Sequence, residues 1–233
     1  SPDGDNSNCG LEAYPYFEVD HAYSQAADGD TIRVSAGTYQ TTEMTLTEDA
    51  NVVIIGEDAE TTILDGFGSR VVYFDGGNIT ANGNTSTLQN FTITGAIQDH
   101  AGGIKITGGS PTLRNLIFED NNVFGDGAAL YIQSSADGGN YPATPIIENC
   151  IFRNNIAGDK GGAVVVTDSE SSPTFTNCTF SGNSAGGSYG GAIFMEFASA
   201  NITNTTFNEN ISNQNGGAIW TYNSAMTIDN CNF

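Results

Sequence analysis

The sequence predicts an all-β chain wound as a right-handed parallel β-helix of about eight coils, with a short helix capping its start. Three observations predict it: a repeat of about 26 residues, asparagines that recur in register, and brief β-like runs with no helical periodicity between them.

The repeat is spelled apolar residue, one spacer, Asn, two residues, then usually Phe, and it occurs at 88–93, 113–118, 147–152, 175–180, 202–207 and 228–233. Its asparagines are Asn90, Asn115, Asn149, Asn177, Asn204 and Asn230, spaced by 25, 34, 28, 27 and 26 residues, so only insertions break the period. A second series, Asn121, Asn155, Asn183 and Asn210, follows the apolar end of four copies by three residues. Next comes a small-residue step into a short strand, as in Gly161-Gly162-Ala163-Val164 and Gly190-Gly191-Ala192-Ile193.

Strand alternation places Cys178 and Phe180 on one side, whereas upstream Phe175 shares a side with Asn177. Inward parity therefore changes at the first asparagine, and the chain must bend there. Asn tolerates the left-handed conformation of such a bend, and its amide can bond the same amide one coil away. Inside the stack, Leu88, Leu113, Ile147, Phe175, Ile202 and Ile228 form one predicted column, and Phe118, Phe152, Phe180, Phe207 and Phe233 another. In earlier coils, 31–34, 52–55, 71–74 and 103–107 read as equivalents of the strands that begin at Leu130, Val164, Ile193 and Ile219.

Segment 13–27 mixes apolar and polar positions without β alternation and reads as an amphipathic helix over the first coil, where an open edge would invite pairing. The chain thus divides into an N-terminal segment and cap, 1–30, and a β-helix, 31–233. The last repeat reaches its aromatic position at Phe233, so the expectation is a further module beyond it or another subunit stacked on that end.

Six Lys plus Arg against 27 Asp plus Glu give a net charge of −21, a field that repels nucleic acid and anionic membranes. No apolar run approaches the ~20 residues of a membrane span. The acidic surface suits a salty or extracellular setting, or serves solubility alone.

Residues 118–219, with FxxN followed by GGA and Ile, Leu or Val, resemble the repeats of chlamydial polymorphic outer-membrane proteins and similar bacterial surface proteins. The opening Ala27-Asp28-Gly29-Asp30-Thr31-Ile32-Arg33-Val34, with Ala36-Gly37-Thr38-Tyr39, is similar to the first coil of many pectin-lyase-like β-helices. These resemblances imply a right-handed, exported β-helix used in adhesion or surface display, and they carry over no catalytic residue.

The candidate ligand-binding residues lie on the outward side of the strand that follows the small-residue step. There Lys105, Tyr131, Val165, Phe194 and Trp220 form one column, with Thr107, Gln133, Thr167, Glu196 and Tyr222 beside it. Tyr131, Phe194, Trp220 and Tyr222 would stack on sugar rings or anchor a protein, unless an inserted loop such as 134–145 folds over them. Lys105 is the only cation expected on this face, with its nearest outward carboxylate, Glu196, about three coils (~14 Å) away. Paired acid–base chemistry is therefore not expected. His21 falls in the cap and His100 in a turn.

Cys150 and Cys178, one coil apart, are either a disulfide or part of a column of core thiols with Cys231. Asp3 and Asp5 lie at the alternate positions of a calcium loop, but the bidentate Glu is missing, so a polar terminus explains them better and no cofactor is expected. Asn78, Asn84, Asn201 and Asn210 are glycan-acceptor sequences outside the first ladder.

The function expected from these residues is a non-catalytic extracellular or cell-surface module for adhesion, display or assembly. Its partners would be a glycan, a protein or copies of itself. The alternatives are a polysaccharide-binding or polysaccharide-degrading β-helix, and an end-to-end stacking fibre subunit.

Overall fold

The computed structural model describes residues 1–76, 83–135, 141–187 and 189–233. Parallel strands stack into four sheets of eight, seven, four and seven members among the described residues. The first sheet runs from Thr31–Val34 to Ala225–Asp229, and the second from Gly37–Gln40 to Thr206–Asn208. The four-stranded third runs from Asn122–Val123 to Ile211–Ser212, and the fourth from Met44–Leu46 to Ile219–Tyr222.

The described strands make seven complete turns and open an eighth, slightly fewer than the eight coils expected. The difference has a specific source. Thr31–Val34 and Val53–Gly56 pair within the first sheet, not the fourth, and the true first strand of the fourth, Met44–Leu46, went unread. Short apolar strands look alike when no asparagine marks their place in the turn.

Register brings like over like. Leu88, Leu113, Ile147, Phe175, Ile202 and Ile228 are successive partners in the first sheet. The rings of Phe118, Phe152, Phe180, Phe207 and Phe233 stack with centroids 4.6, 4.5, 4.9 and 4.9 Å apart. Burying each of Phe118, Phe152, Phe180 and Phe207 stabilises the fold by about 1.5–3 kcal/mol, whereas Phe233, at the end of the column, is exposed.

Both asparagine series form vertical files. Asn90, Asn115, Asn149, Asn177, Asn204 and Asn230 have φ between 50 and 63°, which turns the chain from the first sheet into the second. Their amides join Asn115 to Asn90 at 3.0 Å, Asn149 to Asn115 at 3.2 Å, Asn177 to Asn149 at 3.2 Å and Asn230 to Asn204 at 2.6 Å. The second file is buried at Asn121, Asn155 and Asn183 and half-buried at Asn210. In it Asn155 Nδ2 donates to Phe118 O at 3.0 Å and to Asn183 Oδ1 at 2.9 Å, and Asn155 Oδ1 accepts from both the main-chain N–H and Nδ2 of Asn121.

The cap is shorter than expected: Val19–Ser24 is helical, Val19 is buried, and the Tyr23 hydroxyl accepts the Thr47 amide at 2.9 Å. Asp5 accepts the Ser7 amide at 2.8 Å, the local turn use of an aspartate. Among the described residues no three His, Cys, Asp or Glu side chains group as metal ligands. Cys150 and Cys178 stand in neighbouring turns as free thiols, not as the disulfide considered from spacing. Each Sγ points to main-chain carbonyls, Cys150 to Glu148 O at 3.3 Å and Cys178 to Thr176 O at 3.5 Å. Burial pushes the Cys178 thiol up to about 12 and raises Cys150 as well. Of the glycan-acceptor sequences, Asn84 and Asn210 spend their amides on main-chain carbonyls, Asn201 is exposed, and Asn78 lies outside the described residues.

Candidate functional site

The outward column of the fourth sheet aligns as its sequence implies: Tyr73, Lys105, Tyr131, Val165, Phe194 and Trp220 are partners in successive turns. Its two ends differ in chemistry.

At the Trp220 end the aromatic side chains are already used. Phe194 and Trp220 stack on each other at 5.1 Å with 10° between planes, Tyr189 lies on Trp220 at 4.3 Å, and the Lys160 ammonium sits 5.0 Å from the Phe194 ring centre. Rings stacked along the helix axis give their faces to one another, which leaves edges for a sugar. Phe194 is only 3% exposed and Val165 2%, so neither can contact a ligand. Lys160 lies over Phe194, and Tyr189 over Trp220; of the 134–145 insertion, 136–140 lie outside the described residues. Tyr222 is 47% exposed, with Phe197 edge-on at 5.4 Å.

At the other end a cavity of about 220 Å³ is lined by Arg70, His100, Ala101, Lys105, Asp126, Tyr131 and Gln133. Lys105 and Tyr131 come from adjacent strands. Arg70, His100 and Asp126 come from the turns that precede three successive strands of the sheet, so one wall of the cavity is built from turns. Arg70 is clamped: Nε donates to Ala101 O at 2.8 Å, Nη2 to His100 O at 3.5 Å, and Nη1 pairs with Glu43 at 3.0 Å. Its guanidinium and the Lys105 ammonium lie 5.9 and 5.7 Å from the centre of the Tyr73 ring, within cation–π range. Burial, reinforced by the Arg70 charge, lowers the Lys105 pKa. Burial raises those of Tyr73, Tyr131 and Asp126, which keeps both phenols protonated as donors.

This cluster corrects the expectation that Lys105 stands alone. Arg70 and His100 join it, Asp126 lines the same cavity, and Glu43 and Asp75 are the carboxylates that act on Lys105. Alternation along strands locates Lys105 but says nothing of turn residues, whose direction depends on backbone conformation. One signal was available: Ala101 holds φ 57° where its partners in later turns, Gly127, Gly161, Gly190 and Gly216, are glycines at φ 59–69°. A side chain kept in that strained region marks a turn with another task.

The chain is thus an acidic parallel β-helix with Arg70 and Lys105 set among Glu43, Asp75 and Asp126 on one outer face. It belongs to the right-handed β-helix family, whose model, described as "Right handed beta helix region", matches residues 29–233. No curated protein sequence matches it. Similar solved structures include pectin methylesterase PemA from Erwinia chrysanthemi, at 11% identity and TM-score 0.40 over 85% of this chain and 64% of that one. A PL6 alginate lyase in complex with a trisaccharide is 17% identical with TM-score 0.49, over 92% of this chain and 56% of that one. A rhamnogalacturonan lyase is 12% identical with TM-score 0.45, over 97% and 61%. The chain therefore spans between 56% and 64% of their lengths, and at these identities the likeness is one of fold. Among the described residues no helix is long and apolar enough to cross a membrane.

Proposed function

We propose that this β-helix binds a carboxylated polysaccharide outside the cell, with the cavity at Arg70 and Lys105 taking the sugar carboxylate. The observation that supports this most is the pairing of two of the six Lys and Arg residues in one cavity of a chain with net charge −21. Burial first and the Arg70 charge second lower the Lys105 pKa, while Glu43 and Asp75 act the other way. Arg70 is held by Glu43 and carbonyls, whereas Lys105 donates no hydrogen bond among the described residues and is placed to meet an anion. Tyr131 and Gln133 beside it offer neutral groups suited to sugar hydroxyls.

Adhesion to a glycan-bearing surface would follow from such binding, in keeping with the motif resemblance to bacterial surface proteins; display or self-assembly gains no separate support. Titration calorimetry with oligogalacturonate and oligomannuronate is the test. Lys105→Met, which preserves the stem over Tyr73, should weaken binding by about tenfold, as expected for losing one charge-assisted contact. Binding should also weaken as salt rises. Equal affinity of wild type and Lys105→Met, or a preference for an uncharged oligosaccharide, would refute the proposal. Following the same mixtures for chain shortening separates a binding module from a degrading enzyme.

A further inference from the structure

We infer that His100 is a third ligand-binding residue of this cluster, held as one tautomer so that its Nε2–H donates to the bound sugar acid. The inference rests on the reading of the cavity as a carboxylate site and adds a residue that neither strand alternation nor charge singled out.

The tautomer follows from a main-chain donor. The N–H of Asp126 points at His100 Nδ1 with a donor–acceptor distance of 3.0 Å. An imidazole nitrogen that accepts a hydrogen bond carries no proton, so in the neutral ring the proton sits on Nε2. That leaves the Nε2–H as the ring's free donor on a side chain that is 59% exposed at the cavity edge. The charged groups around the ring are Asp126, whose Oδ2 lies 3.6 Å from Nδ1, and Arg70, bound to the His100 carbonyl.

Two backbone features hold the ring in place. A Cβ on Gly125 would collide first with the Asp99 carbonyl and then with His100 Cε1 and Nδ1, so only glycine leaves room for this turn and its imidazole. The carbonyls of His100 and Ala101 also hold the Arg70 guanidinium, so a single turn fixes imidazole and guanidinium relative to each other. A carboxylate held by Arg70 and Lys105 would then find a third donor from the turn wall, which gives the cavity a preference for one orientation of the sugar.

Two substitutions separate the nitrogens. Asparagine places its oxygen near Nδ1 and keeps the acceptor for the Asp126 amide but has no donor at the Nε2 position; glutamine does the reverse. His100→Asn should keep thermal stability and lose about tenfold in affinity for oligogalacturonate or oligomannuronate. His100→Gln should keep most affinity and lose stability. Nitrogen-15 spectra of the imidazoles, assigned with His21→Gln, should show Nε2–H for His100 without ligand. Wild-type affinity in His100→Asn, or an Nδ1–H tautomer, overturns the role of His100 while leaving that of Lys105. Absence of binding by wild type to either oligomer overturns the carboxylate reading itself, and the role of His100 with it.

Discussion

The two asparagine files use one residue type for two different jobs. In the exposed file, from Asn90 to Asn230, every member has positive φ and most pass one amide bond to a neighbour. In the buried file, Asn121, Asn155, Asn183 and Asn210 each donate to a main-chain carbonyl, and successive members are joined by two further bonds, one from Nδ2 and one from the main-chain N–H. The first file solves a problem of backbone conformation with water nearby to satisfy its amides. The second solves a problem of desolvated polar groups, where no solvent can substitute. Register alone does not reveal which job an asparagine does; burial does.

Substitutions should separate the files. Asn155→Ala is expected to be the most damaging, at about 3 kcal/mol or more, because it strands the Phe118 carbonyl and the Asn121 N–H in a buried site, each costing about 1–3 kcal/mol. Chemical denaturation measures this, and a loss below about 1 kcal/mol would erase the distinction. Asn149→Ala should cost about 1–2 kcal/mol, mostly for a side chain at φ 55°, and Asn149→Gly should recover more than half of that. If glycine were no better than alanine, the exposed file would owe its worth to amide bonding after all. The smallest effect sets conformation against one buried methyl: Ala101→Gly, at φ 57°, should change stability by less than about 1 kcal/mol in the same titrations.

A third measurement follows the burial of Asp126, which raises its pKa. Its folded form then binds a proton that the unfolded chain releases at lower pH. The stability difference should favour the protein near and below the usual carboxylate range and be lost as pH rises through the folded pKa. Asp126→Asn keeps an oxygen for the Lys160 amide, and its stability relative to wild type should improve over that interval and level off above it. Unfolding curves at several pH values check the sign.

The fold was legible because a solenoid repeats its evidence. One Asn–x–x–Phe segment proves little, but five in register, with a sixth that ends in Ile93, fix turn length, inward parity and the stacked columns. The first two turns were read less well, since Val53–Gly56 and Met44–Leu46 carry apolar strands without the asparagine that marks position. The candidate site was legible only in part. Lys105 and Tyr131 were placed on the right face by alternation, but Arg70, His100 and Asp126 reach it through turns. The aromatic stripe misled for a physical reason: residues aligned along a sheet at ~4.8 Å satisfy one another before they meet a ligand.

Chain length varies at two corners, most widely between the fourth sheet and the first. Eleven residues separate Asp75 from Thr87 and twelve separate Gln133 from Ile146, whereas two separate Glu196 from Ser199. Strand pairing on either side does not shift in response, since Thr112 still meets Ile146 and Ile147 still meets Phe175. Extra residues can accumulate there without being read by the rest of the molecule, much as a margin can widen without moving the lines of type. Because that corner borders the sheet that carries Lys105, the rim of that face can be lengthened or trimmed while the scaffold stays unchanged.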